Sequence, residues 1–143
     1  MIILWSVSMK RVYVDAVADL FHMGHLNLFK RAKNEGDFLI VGIHSDKTVK
    51  SYKRTPIIEQ EQRYEIVRAC KYVDEVIEDA PLIITQDFMV LHNIDLVIHG
   101  DDRGDHFGIQ HGDPLKVGKM KYLPYTKGIS TSIIIERIIN RKE

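Results

Sequence analysis

Short apolar runs of strand length recur along this chain with helix-spaced segments between them, and that alternation limits the fold more than any other feature. RVYVDAV at 11–17, FLIVGI at 38–43 and LVIH at 96–99 are the clearest runs, with shorter ones at 73–77 and 121–123. Helical spacing fills the gaps. Leu28, Phe29 and Ala32 recur within 26–34, where Gly36 closes the segment. Tyr64, Ile66, Val67 and Cys70 face inward in a helix over 59–71. Thr85 caps a helix running to His92, a surface residue. Ser130 or Thr131 caps a last helix, with Ile134, Ile135, Ile138 and Ile139 along one side.

Strands alternating with helices imply βαβ units and a parallel sheet covered on both faces. The crossovers are right-handed, and ligands bind at the carboxyl ends of the strands. Polar residues collect there. Asp19, His22, Gly24 and His25 follow the first strand, and His44, Ser45 and Asp46 the second. His99, Gly100, Asp101 and Asp102 follow the fourth, and Tyr125 to Thr131 the fifth.

With 143 residues, the length suits one domain. Residues 10–143 are expected to form it, with 1–9 an N-terminal extension, and Met9 is read as a natural start preceded by a preamble. The opening MIILWSVS is too short for a transmembrane helix, and it lacks the charged start of a signal peptide. Lys+Arg and Asp+Glu are 20 each. That balance argues against bulk binding of nucleic acid or anionic membrane. The single cysteine, Cys70, excludes an intrachain disulfide, is read as a small buried hydrophobe and fits a cytoplasmic setting.

His22-Met23-Gly24-His25 sits where the first strand gives way to the first helix. A helix N-terminus offers N–H groups and a positive dipole end, which suits phosphate. Gly24 admits a close backbone approach, and two histidines can donate to charge building on a phosphoryl group. The competing reading is a capping histidine beside a surface one. No metal set is expected, because His-x-x-His finds no third ligand at suitable spacing. Gly128 permits a turn before Ser130 and Thr131, whose hydroxyls cap the helix or reach a phosphate.

Four stretches, in order from about residue 10 to 140, resemble the HxGH cytidylyltransferase family, nearest its phosphoethanolamine and phosphocholine branch. They are VYVDAVADLFHMGHLNLFKRAK, EQRYEIVRACKYVDEVIEDAP, HNIDLVIHGDD and GISTS. The resemblance implies a Rossmann-like three-layer α/β sandwich with a parallel five-stranded sheet in the order 3-2-1-4-5. It implies transfer of CMP from magnesium-bound CTP to a small phosphorylated acceptor, with pyrophosphate leaving, and commonly a homodimer. By the same resemblance His22 and His25 stabilise the α-phosphorus, and Lys53 contacts the phosphates of both substrates. Asp19 holds the triphosphate or orients the site, and Arg63 holds acceptor or β/γ phosphates. Asp101 and Asp102 lie near cytidine, and Thr126, Gly128, Ile129, Ser130 and Thr131 grip the triphosphate beside Gly24. Asp15 faces the acceptor's head group, and Leu82 stands where the choline enzymes place a Trp.

The departures bear on substrate. Tyr125 replaces the family's Arg, with Lys121 or Lys127 as possible compensation, and Ala16 and Ala18 replace a glycine and an aromatic. A quaternary ammonium needs aromatic faces, and here only Phe107 could supply one. Phosphoethanolamine therefore leads as acceptor. A phosphonate such as 2-hydroxyethylphosphonate and glycerol 3-phosphate are the alternatives. A nucleotide-binding regulatory module without turnover is the reading from a different class. His106 and His111 are expected in a solvated Gly-rich loop.

Overall fold

The structure is a computed structural model that describes residues 8–101 and 110–142. Its five strands are β1 (Arg11–Ala16), β2 (Phe38–Ile43), β3 (Glu75–Ile77), β4 (Leu96–Gly100) and β5 (Met120–Leu123). Six helices lie among the described residues: α1 (Met23–Asn34), α2 (Asp46–Lys50), α3 (Gln60–Arg68), α4 (Gln86–Leu91), α5 (Gly112–Lys116) and α6 (Thr131–Ile139). The sheet order is β3-β2-β1-β4-β5 with every pairing parallel, as the sequence implied.

The continuous apolar strands have a physical reason, since both sheet faces are covered. On one face Val12, Val14, Leu39, Val41 and Ile98 pack against Phe29 and Ala32 of α1 and Tyr64 and Val67 of α3. On the other, Tyr13, Ile40 and Val97 meet Ile84, Met89 and Ile94. Each fully buried side chain of this size contributes roughly 1.5–3 kcal/mol. Gly42 marks the tightest approach: a Cβ there would fall 2.0 Å from the Tyr13 hydroxyl.

The departures from expectation cluster at helix ends. α1 begins at Met23 rather than Leu26, because histidines cap it. α2 was not expected, although Ser45 caps it by accepting the Thr48 N–H at 3.1 Å. α5 occupies part of the presumed loop, with Pro114 buried. Ile66 is exposed, so α3 turns only Tyr64 and Val67 fully inward among its apolar residues. The isoleucine stripe of α6 does not reach the core at its far end: Ile138 and Ile139 are 63% and 75% exposed. Cys70 is half-buried against the first face as a free thiol. No described helix is long and apolar enough to cross a membrane.

Candidate active site

The β1–α1 connection carries the first site residues in a conformation that side chains avoid. Ala18 and Leu20 both have positive φ, +56° and +49°, on either side of Asp19. Such residues persist only where their surroundings over-determine them. Here three ties do so. The Asp19 carboxylate accepts the Ile57 and Ile58 N–H groups at 2.8 and 2.9 Å. Thr131 Oγ1 donates to the Asp19 carbonyl at 3.0 Å, and Arg63 Nη1 donates to the Val17 carbonyl at 2.6 Å.

Histidines make the cap of α1. His22 Nδ1 accepts the Gly24 N–H at 3.0 Å, and His25 Nδ1 accepts the His22 N–H at 3.1 Å. A ring nitrogen that accepts carries no proton, so in the neutral form the proton of each ring sits on Nε2. Burial lowers the pKa of His22. Burial, then the neighbouring His22 and Lys53 charges, bring His25 down to about 4 against an opposing pull from Asp19. Both rings are therefore neutral at pH 7, each with an Nε2–H donor, and their centroids lie 3.9 Å apart. Gly24 is required because a Cβ would meet the His22 ring at 2.8 Å.

These rings line a cavity of about 360 Å³ at the carboxyl ends of β1 and β4. The N-termini of α1 and α6 converge on it, two positive dipole ends facing one space. Lys53 lines this cavity and an adjoining one of about 480 Å³, which it shares with His25, Arg54 and Thr131. Thr126, Ile129, Ser130 and Thr131 form the α6 side. Ser130 Oγ accepts the Ile133 N–H at 3.1 Å, so it is the cap. Gly128, with φ +84°, makes the turn ahead of it. The site chemistry is thus donors, hydroxyls and one lysine arranged for an anionic chain.

A Cytidylyltransferase-like family profile matches residues 13–137. The chain belongs to the cytidylyltransferase-like family. Its relatives include the ethanolamine-phosphate cytidylyltransferase of Dictyostelium discoideum, 38% identical over 132 residues, 90% of this chain and 36% of that one. A probable choline-phosphate cytidylyltransferase of Schizosaccharomyces pombe is 41% identical over 133 residues, 90% of this chain and 37% of that one. The chain spans about a third of the length of these curated relatives. Among solved structures, a lipopolysaccharide core biosynthesis protein of Thermoplasma volcanium superposes with a TM-score of 0.68 at 26% identity, covering 85% of this chain and all of that one.

Some expected site residues of this cytidylyltransferase-like chain serve elsewhere. Arg63 is fully buried and reaches neither cavity. Its guanidinium donates to the carbonyls of Ile58, Val17 and His44 and to Asp46 Oδ1 at 2.7 Å. Asp19 lies in the wall of the adjoining cavity, but both its oxygens are taken by backbone N–H groups. Asp101 Oδ1 accepts the Tyr125 N–H at 2.8 Å and shapes the β5–α6 connection. Leu82 lines neither cavity. Asp102, His106 and Phe107 lie outside the described residues. Lys121 does not compensate for the missing Arg, since its ammonium pairs with Glu35 at 2.7 Å. Tyr125 does occupy the wall, with its hydroxyl 3.3 Å from the Ile129 carbonyl.

Asp15 is buried at the cavity floor in a cluster the sequence did not reveal. Gln110 Nε2 donates to its Oδ2 at 2.7 Å, His44 Nε2 lies 3.3 Å away, and His111 Nε2 stands 4.0 Å from Oδ1. Burial pushes the Asp15 carboxyl up, but the polar faces of the nearby His111, His44 and His99 rings outweigh it. The group stays well below the usual carboxylate range and is ionised at neutral pH. His111, expected in a solvated loop, is fully buried. Its sequence context, a Gly-rich stretch, carried no signal of this.

The His25 shift predicts an acid-side loss of stability. An unfolded histidine titrates near ~6.5, and the folded ring near about 4. Between those values the unfolded chain binds the extra proton. His25's contribution is therefore complete above about pH 6.5 and is lost as pH falls toward about 4. Thermal midpoints measured across that window should fall more steeply for the wild type than for His25→Asn. Parallel curves would remove His25 from the acid response.

Proposed function

We propose that this chain transfers CMP from CTP, carried as its magnesium complex, to a small phosphorylated alcohol, with phosphoethanolamine the leading acceptor. The observation that carries the reading is the pair of neutral histidines. Each presents an Nε2–H donor where two helix N-termini meet. In this reading the acceptor's phosphate oxygen attacks the α-phosphorus in line and pyrophosphate leaves opposite. The phosphorus passes through a crowded state with extra negative charge on its oxygens. Donors already in place stabilise that charge without reorganising. Lys53 spans the two cavities and neutralises phosphates from either substrate.

Magnesium would travel with the triphosphate. Asp15 and Asp19 are the carboxylates among the described residues lining the two cavities; both oxygens of Asp19 and Oδ2 of Asp15 are taken by protein donors. A cation held largely by substrate phosphates and water suits such a site. The ionised Asp15 carboxylate offers a counter-charge to a primary ammonium, and relatives named ethanolamine-phosphate cytidylyltransferases favour that acceptor. An acceptor without a cation, 2-hydroxyethylphosphonate or glycerol 3-phosphate, is the second reading. Gln110 and His44 already partly answer the Asp15 charge, which favours it.

Pyrophosphate release with CTP or ATP, across phosphoethanolamine, phosphocholine, glycerol 3-phosphate and 2-hydroxyethylphosphonate, tests this. Release with CTP and one acceptor supports transfer. ATP preference, or tight CTP binding without release, would favour a different nucleotidyl transfer or a regulatory module. Tyr125→Arg should lower the KM for CTP by roughly tenfold, the effect of one charge-assisted phosphate contact of about 1.5 kcal/mol. An unchanged KM would mean that Tyr125 costs nothing. We also propose a homodimer, which a monomer mass by light scattering would overturn.

A further inference from the structure

Two side chains that line the cavity and one buried beneath them are left unused by the phosphate chemistry. Asp15 of β1, His99 of β4 and His111 just before α5 each place one ligand atom within 4.8 Å of the others. β1 and β4 are hydrogen-bonded neighbours, so the sheet itself fixes the first two. Asp15 is 4% exposed and His111 fully buried, while His99 lines the cavity.

The far side of this cluster is built as metal sites are built. His99 Nδ1 lies 2.8 Å from the Gly100 carbonyl. A carbonyl can only accept, so Nδ1 holds the proton of the neutral ring and Nε2 carries the lone pair. Asp15 Oδ2 takes the Gln110 amide and faces His44. Its Oδ1 is buried without a hydrogen-bond partner among the described residues, and it faces His111 Nε2 at 4.0 Å. Metal-bound histidines and carboxylates are held from behind in this way. Zinc with bonds of ~2.0 Å sets tetrahedral ligand atoms ~3.3 Å apart, so the Asp15–His111 gap closes with a shift under about 1 Å.

We propose that Asp15, His99 and His111 bind a divalent transition metal of the zinc class, with an open position facing the cavity. The ligand set is one carboxylate and two neutral imidazoles, which suits zinc or cobalt over magnesium. The ion would take the position of an acceptor's ammonium, so metal and amine acceptor exclude one another. That last clause rests on the proposed phosphoethanolamine activity; the binding itself does not.

The test uses the full chain, stripped with a chelator and desalted. Addition of zinc chloride should leave one equivalent on the protein after a second desalting, read by elemental analysis. Cobalt(II) should give the intense visible bands of a four-coordinate ion. His99→Gln, at a half-buried position, should abolish both signals while its metal-free thermal midpoint stays near that of the wild type. Asp15→Asn should weaken both. No retained metal in the wild type overturns the proposal, as does retention that His99→Gln leaves intact. In turnover, zinc should raise the KM for phosphoethanolamine at least tenfold and leave the KM for CTP unchanged. Zinc that acts on the CTP term instead overturns the placement. If no acceptor is turned over, the transfer reading has failed, and the metal-retention and cobalt results still decide this proposal.

Discussion

His22→Ala should slow CMP transfer by on the order of 10²–10³-fold, the effect of removing one positioned donor from a developing oxyanion. The residue has two jobs, and the substitution removes both. In the proposed transfer its Nε2–H is the donor offered to the phosphoryl group, and its Nδ1 accepts the Gly24 N–H at 3.0 Å as the cap of α1. Loss of a cap costs about 0.5–2 kcal/mol, enough to lower a melting midpoint without unfolding the domain. His22→Asn separates the two jobs. Its side-chain oxygen can accept from Gly24, yet its shorter amide does not reach where Nε2 does. The thermal midpoint of His22→Asn should return toward that of the wild type while turnover stays low. Steady-state kinetics and melts on both variants make the comparison. Near-normal turnover in His22→Ala would remove the ring from the chemistry. Recovery of both properties together in His22→Asn would mean that capping alone explains the defect.

The same residue shows what the sequence could and could not disclose. The HxGH spacing placed two histidines at a strand–helix junction, and the structure has them there. The helical spacing was read only from residue 26, three residues late, and the capping histidine that stood as the competing reading is what the structure shows at His22. Where the capping residue was a conventional one, at Thr85 and Ser130, the helix start was legible. The sheet order was legible through the family resemblance, and its parallel strands through continuous apolar runs buried on both sides. His111 was not legible. Its burial depends on Gln110 and the Asp15 carboxylate meeting beneath β4, a contact across 95 residues. Nor could a pattern of letters show that Ile138 and Ile139, on the same side as Ile134 and Ile135, are exposed at the far end of the helix.

Arg63 lies furthest from its expected place, buried and outside both cavities, and it leads to the second large effect. An arginine in a phosphate-handling chain invites a phosphate partner. Here four contacts consume the guanidinium instead, and each ties down a different piece of the site edge. Nη1 holds the carbonyls of Val17 and His44, which follow β1 and β2. Nε holds Ile58 on the segment leading into α3, and Nη2 pairs with Asp46 at the start of α2. Arg63→Ala would empty a fully buried position and leave three carbonyls and the one-third-exposed Asp46 carboxylate without their donor. The partly exposed Asp46 carboxylate loses less than the about 3–5 kcal/mol of a fully buried pair, but a buried carbonyl left without its donor adds about 1–3 kcal/mol, a large share of the roughly 5–15 kcal/mol that holds a domain together. Urea unfolding should show that loss as a lower midpoint with little change in slope. Arg63→Lys should recover little of it, because an ammonium cannot reproduce a planar fork reaching several acceptors. A phosphate-binding arginine would behave differently. Its replacement by lysine would raise the KM for one substrate and leave the unfolding midpoint in place. A KM effect with intact stability would return Arg63 to the cavity. A collapse of stability would establish it as the clasp that holds Val17, His44, Ile58 and Asp46 together.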